Sequence, residues 1–291
     1  MTALRSRARR ILRVGGAALV FILLAGATYQ GVATALERRE LRHPGGLVSI
    51  GDHQLHLYCT GTGTPTVILE APAAGLSAAW GPVQQRLSRT TRTCSYDRSG
   101  LGWSEAGDRP FDPGRVPEEL RTLLTSAREE GPFIVVGQGL GATFARLYAA
   151  RADANTTSIV LIDPPRDGGP VRPDTTWLMP ASPWLARVGV LRAGRVLSSK
   201  AKALPGFAGA ATRAFLNRPD HLTRAAAEVS KWAEATGLAS RTPPAANVQE
   251  VVVEVHHDDR IEFLSDPAVV DRVVDAIGAT ITASRGPSAA P

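Results

Sequence analysis

Apolar residues in this chain recur in two rhythms. The short runs are rich in β-branched residues, as in Thr66-Val67-Ile68-Leu69-Glu70, Phe133-Ile134-Val135-Val136 and Ser158-Ile159-Val160-Leu161-Ile162-Asp163. Their length and lack of alternation predict strands buried on both faces. Val48–Ile50 and Leu55–Tyr58 flank Gly51-Asp52 and predict a hairpin, and Arg92–Tyr96 a fourth strand. Helical spacing predicts helices over Trp80–Leu87, Pro117–Glu130, Ala142–Arg151 and Ala268–Ile277, the last with Asp266 as N-cap and Pro267 in its first turn. Val251–Val255 is a late strand. Between about 164 and 246 no strand pattern occurs, and proline-punctuated helical pieces carry Trp177, Trp184, Leu185, Val188, Leu191, Leu197, Phe207 and Phe215. Strands alternating with helices after a hairpin predict an α/β fold, a mostly parallel sheet covered on both faces, with this stretch as a helical cap.

The longest apolar stretch changes the picture. Val14–Leu36 holds 23 residues without a formal charge, and as a helix reaches about 34 Å, enough for a hydrocarbon core of about 30 Å. Five arginines precede it. The expected organisation is a cytoplasmic basic segment over 1–13, a transmembrane signal-anchor helix over 14–36 and a linker over 37–46. A domain over 47–279 follows, then a disordered tail over 280–291. The positive-inside bias puts the N-terminus in the cytoplasm and the body outside, on the cell membrane. Ala25-Gly26-Ala27 also fits a signal-peptidase site, so secretion after cleavage near Ala27 is the alternative. The 291 residues carry a net charge of +6, and eight arginines against two glutamates within 1–42 account for all of it. The body is formally neutral, which argues against a nucleic-acid partner. Cys59 and Cys94 are the two cysteines, each in a predicted strand; pairing in an oxidising compartment and service as two small buried apolar residues are both open.

The chemistry is concentrated after the strand at 133–136. Gly137-Gln138-Gly139-Leu140-Gly141 leads into a helix, and strand, sharp glycine turn and helix make the frame of a nucleophile elbow, G-x-S-x-G. Its middle position is Gly139, which has no side chain to attack with. Ser99 and Ser104, in the loop after the fourth strand, are the alternative hydroxyls considered.

Leu55-His56-Leu57-Tyr58-Cys59-Thr60-Gly61, Tyr96-Asp97-Arg98-Ser99-Gly100-Leu101-Gly102-Trp103-Ser104, the elbow, Ala145–Arg151 and Val270–Ile277 occur in this order. In this the chain resembles the α/β-hydrolase family, specifically its bacterial membrane-anchored members. The resemblance implies an α/β-hydrolase fold with a helical cap, one strand short near the C-terminus because only one late strand is visible. It also puts Cys59 and Cys94 on neighbouring strands, which favours a disulfide. By the same resemblance Gly139 is a degenerate nucleophile position, and the backbone N–H groups of Leu140 and Ala73 would form the oxyanion hole. His257 or His256 would be the base, with Asp258 at the histidine's place in the other alignment, and Asp163 the acid. In the second oxyanion loop, Pro72 stands where the family prefers glycine. No cofactor is expected, and no metal, since His256-His257-Asp258 in sequence point their side chains apart. Three functions follow as expectations. The first is a membrane-tethered, catalytically degenerate binder of an apolar or lipid-like molecule or a protein partner. The others are a weak or unconventional ester hydrolase and an interaction scaffold.

Overall fold

The computed structural model describes residues 2–165, 178–197, 201, 204–255 and 263–286. A long helix, α1 (Thr2–Glu40), precedes the domain. Strands β1 (Gly46–Ser49), β2 (Gln54–Thr60) and β3 (Thr66–Glu70) lead to a 3₁₀ turn (Ser77–Trp80) and α2 (Gly81–Leu87). Next come β4 (Thr93–Tyr96), α3 (Val116–Ser126), β5 (Phe133–Gln138), α4 (Leu140–Ala149) and β6 (Thr156–Ile162). Among the described residues five helices follow: α5 (Ser182–Arg187), α6 (Val190–Gly194), α7 (Gly206–Phe215), α8 (Pro219–Ser230) and α9 (Trp232–Arg241). The chain then returns to the sheet as β7 (Gln249–Val253) and closes with α10 (Pro267–Arg285).

The sheet has seven strands in the order β1-β2-β4-β3-β5-β6-β7, with the first two joints antiparallel and the rest parallel. The continuous apolar runs are explained by burial on both faces. Val67, Leu69, Ile134, Val136, Val160 and Ile162 point to the side covered by α2 and α10, where Trp80, Val83, Val273 and Ile277 meet them. Their neighbours Ile68, Val135, Ile159 and Leu161 point to the opposite side, against Leu120 and Leu123 of α3 and Ala145 and Tyr148 of α4. Asp266 caps α10, its side chain accepting from the Ala268 N–H at 2.9 Å.

Cys59 and Cys94 are directly opposite in the β2–β4 ladder, with Cα atoms 4.0 Å apart, and form a disulfide. They lie 35 residues apart in sequence, and on the chain-entropy account that closure stabilises the fold by about 3–4 kcal/mol.

Three boundaries differ from expectation. Helix α1 continues through Glu40, beyond Leu36 and into the expected linker, because nothing in Glu37-Arg38-Arg39-Glu40 breaks a helix. Helix α10 runs to Arg285, past the expected start of the tail at Thr280: Thr280 and Ile281 are buried on it. Within the stretch assigned to the cap, α9 packs Trp232, Ala235 and Ala239 against Leu140, Phe144 and Leu147 of α4, so it belongs to the layer covering the sheet.

Candidate functional site

The C-terminal edge of the parallel strands brings three segments together. The first is the elbow. Gly139 is the N-cap of α4 with φ 53° and ψ −120°, a conformation that side-chain-bearing residues rarely adopt. Its N–H donates to the Ile162 carbonyl at 2.9 Å, and its own carbonyl accepts from Ala142 N at 3.0 Å. The flanking glycines are fixed by close approach. A Cβ on Gly137 would lie 2.3 Å from the Gly141 carbonyl oxygen, and one on Gly141 would lie 2.5 Å from the Ala71 carbonyl oxygen. The sharp turn therefore stands in full, and the residue it presents is a glycine.

The second segment is the loop after β3, Ala71-Pro72-Ala73-Ala74-Gly75, which is tied down from several sides. The Gly75 N–H closes a turn onto the Pro72 carbonyl at 3.0 Å, and the Ala74 N–H donates to Glu228 Oε2 at 3.3 Å. Arg98, fully buried, donates to the carbonyls of Ala71 at 2.6 Å and Pro72 at 2.9 Å. The same guanidinium pairs with Glu70 and makes two bonds of 2.8 Å to Glu228 of α8. Tyr96 donates its hydroxyl to the other oxygen of Glu70. Burial pushes the Glu70 carboxyl up despite Arg98 and Tyr96, whereas at Glu228 burial is overcome by Arg98 together with Arg224 and the Ala74 N–H, which hold the carboxyl down. Two buried carboxylates share the Arg98 cation, Arg224 lies 3.9 Å from Glu228 as a second one, and the loop carbonyls supply the remaining acceptors of Arg98. Replacement of the expected glycines by Pro72-Ala73-Ala74 leaves a braced loop, with Ala74 at φ 57°.

His221 extends the brace. Its Nδ1 accepts from the Gly102 N–H at 3.1 Å and its Nε2 lies 3.1 Å from the Ala74 carbonyl. Those partners assign the neutral tautomer with the proton on Nε2. Burial pushes its pKa down. Asp97, next to Arg98, accepts from Ser77 N at 2.6 Å and Trp103 N at 3.1 Å and pairs with His56 at 3.0 Å. For His56, burial opposes the charged form and the Asp97 contacts overcome it, raising its pKa.

The third segment begins at Asp163, with φ 42°, immediately after β6. Its N–H donates to the Val253 carbonyl at 3.0 Å and its Oδ1 accepts from Val255 N at 2.9 Å. The carboxylate thus stands one residue from the carbonyl that receives the Gly139 N–H, and it is bonded to the strand end leading toward His256. His256, His257 and Asp258 lie outside the described residues. Leu140 opens α4 and is fully buried, while Ala73 is half-buried against the α4–α9 cluster. Ser99 and Ser104 are used within their turn. Ser99 Oγ accepts from Gly107 N at 3.2 Å, and Ser104 Oγ accepts from His56 N at 2.8 Å and donates to the Asp97 carbonyl at 2.6 Å.

No metal centre is assembled among the described residues. The sulfurs of Cys59 and Cys94 lie near Glu129, but both are consumed by the disulfide and Glu129 is held by Arg92 at 2.5 and 2.6 Å. A cavity of about 500 Å3 opens between Pro44, Tyr58, Ser95 and Phe207, with no elbow residue in its lining.

Glu70, His221 and Glu228 were not foreseen. Glu70 was visible as the charged end of an otherwise apolar strand. His221 and Glu228, seven residues apart, fall on one face of α8, but their partners are more than a hundred residues away in sequence.

Comparison with known proteins gives the same frame. A sequence profile described as "Alpha/beta hydrolase family" matches residues 59–286. The fold is similar to an esterase of Thermogutta terrifontis, with TM-score 0.58 and 16% identity over 83% of this chain and 99% of that one. It is also similar to an enol-lactonase of Burkholderia xenovorans, with TM-score 0.56 and 15% identity over 80% and 100%. At such identities the likeness is one of fold. Among curated sequences, an uncharacterised protein of Schizosaccharomyces pombe is 36% identical over 28% of this chain and 15% of its own length. An uncharacterised vacuolar membrane protein of Saccharomyces cerevisiae is 36% identical over 30% and 14%. The chain therefore spans about one seventh of those two relatives. A Bacillus subtilis protein, also uncharacterised, is 27% identical over 36% of this chain and 41% of its own length. Fold, sheet order, elbow and profile agree: the chain belongs to the alpha/beta hydrolase family.

Proposed function

We propose that this chain is a membrane-tethered, catalytically silent α/β-hydrolase-fold protein that holds an apolar or lipid-like molecule outside the membrane. The observation that carries the reading is Gly139. In this geometry a serine hydroxyl would project from the elbow, and glycine offers only hydrogen. Loss of the nucleophile from a comparable triad costs about a million-fold in rate, roughly 8 kcal/mol of barrier. The tether is supported by α1, whose segment Arg9–Glu40 has mean hydropathy 2.0 over its most apolar window and is long enough to cross a bilayer. The arginines before it support a cytoplasmic N-terminus.

The test is a comparison of the full chain with its Gly139→Ser variant, using a fluorophosphonate label and a p-nitrophenyl ester. The expected result is no labelling and background turnover for the natural chain. A serine label and measurable hydrolysis in the variant would mean that a base and an acid survive, for which one of His256 or His257 and Asp163 are the candidates, with Leu140 and Ala73 as the candidate oxyanion donors. Labelling of the unaltered chain would instead make it a hydrolase with a displaced nucleophile. A lipid co-purifying with the inert natural chain supports the binder. A protein partner captured without ligand favours the scaffold reading.

A further inference from the structure

Helix α1 does not stand clear of the domain. A Cβ on Gly26 would fall 2.2 Å from the Val188 carbonyl oxygen, and one on Gly189 would fall 2.7 Å from the Gly26 carbonyl oxygen. The two glycines let the backbones of α1 and the α5–α6 corner touch. One turn on, Gln30, which is buried, donates to the Asn217 carbonyl at 2.7 Å and accepts from Arg192 Nε at 2.8 Å. Arg192 also forks onto Glu37. At 100° per residue, Gly26, Gln30 and Glu37 form one stripe, and that stripe faces the cap.

The rest of the same turns is apolar and open. Val32 and Leu36 are 56% and 51% exposed, and Tyr29, whose ring edge lies beside Gly189, is still 51% exposed. Below the contact, Val14–Ala25 reaches only about 18 Å, short of the roughly 30 Å of a hydrocarbon core. To fill the bilayer, the span must continue upward to Tyr29, Val32 and Leu36. At that depth the opposite side of α1 is already occupied by α5 and α6. These present Trp184, 70% exposed, and Val190, 48% exposed, with Val196 just beyond at 45%. The Arg187 guanidinium lies 4.9 Å from the centre of the Trp184 ring, so an interfacial aromatic and a cation sit side by side.

We infer that the α5–α6 corner of the cap is embedded in the interfacial region of the near leaflet, clamped there by α1 through Gly26–Gly189 and Arg192. The partner of this surface is the lipid bilayer itself. Arg187 and Arg195, both exposed, are suited to phosphate headgroups. The inference rests on the tether proposed above. It adds that the cap meets the membrane directly, so an apolar ligand would pass from lipid to cap without crossing bulk water.

Nitroxide labels at single introduced cysteines in the full chain test this, in nanodiscs of phosphatidylcholine and phosphatidylglycerol. The positions are Trp184→Cys, Val190→Cys, Phe21→Cys on the exposed side of α1 and Val252→Cys on the exposed edge of β7. All four side chains are 48% exposed or more, so the core is untouched. Collision with oxygen and with a nickel chelate reads lipid depth. The expected outcome is an oxygen-to-nickel ratio at 184 and 190 that moves away from that of 252 and toward that of 21. If 21 is lipid-protected while 184 and 190 collide with nickel as freely as 252, the tether stands and the embedded cap is refuted. If 21 is also open to nickel, the tether fails and takes the inference with it. Labels at 184 and 190 shielded from both agents would mean that protein covers this face, which also overturns it.

Discussion

A methyl group on Gly141 would meet the Ala71 carbonyl at 2.5 Å and the Glu70 carbonyl at 2.7 Å, both backbone atoms with nowhere to retreat. Gly141→Ala must therefore push α4 off the end of β3. We expect a loss at or above the top of the roughly 1–3 kcal/mol seen for overpacking, read as a lowered urea midpoint. Gly139→Ser takes on backbone strain at φ 53°, worth about 1–3 kcal/mol, and should remain folded. A Gly141→Ala protein as stable as the parent would show that the elbow is looser than these distances require. His221 gives a pH prediction of definite sign. Burial lowers its folded pKa below the ordinary 6.5, so as pH falls through 6.5 the unfolded chain takes up a proton that the folded chain refuses. Stability is lost toward acid, with a slope of at most about 1.4 kcal/mol per pH unit. His56 acts in the opposite sense. Its folded pKa is raised, so its contribution is complete below 6.5 and fades as pH rises through the folded value. His221→Gln should accordingly flatten the decline in urea midpoint between pH 7 and pH 5, and an unchanged slope would remove His221 as its source.

The loop after β3, the turn carrying Asp97-Arg98 and helix α8 are joined through one guanidinium. Arg98 bonds two backbone carbonyls of the loop, Glu70 at the end of β3 and Glu228 on α8. Removing it leaves the buried Glu70 carboxylate without its cation and Glu228 with only Arg224 at 3.9 Å, and breaking a buried ion pair costs about 3–5 kcal/mol. Arg98→Lys should recover little, since one ammonium cannot reproduce a planar fork with four separate acceptors. We expect both Arg98→Met and Arg98→Lys to open the 71–75 loop to proteolysis and lower the urea midpoint. Full stability of the lysine variant would refute this. Much of this level was legible in the chain. The strand at Thr66–Glu70 has the predicted ends, the elbow stands at Gly137–Gly141, and the sheet carries one strand after the cap. Continuous β-branched runs and glycine turns are local signals, and they fix local structure. The brace was illegible because its information is pairwise. Nothing near Glu228 indicates that its partner is Arg98, and a buried Glu on a helix reads as an ordinary surface residue until the fold closes over it. The register of α9 against α4 was missed for a similar reason: its apolar face reads as cap or as sheet cover equally well.

The architecture has a rigid sheet and elbow at one end and an apolar helix at the other, with the cap in contact with both. Helix α8 holds the cap to the loop after β3 through Glu228 and His221. The cap is held to helix α1 through Arg192, Gln30 and Glu37. That second contact is separable from the first because Arg192 touches nothing at the elbow among its described bonds. Arg192→Ala removes hydrogen bonds between charged partners that are worth roughly 1.5–3 kcal/mol each in a partly buried setting. It leaves the Cys59–Cys94 disulfide, the sheet and the Arg98 brace intact. The expected consequence is local: amides of α5 and α6 should exchange with deuterium about tenfold faster or more in nanodiscs, while those of β3, β5 and β6 keep their protection. Uniform loosening of the whole domain would mean that α1 contributes to the core and not to the cap alone. Unchanged exchange at α5 and α6 would mean that the glycine contact at Gly26 and Gly189 is sufficient to hold the cap on α1, with the arginine fork redundant.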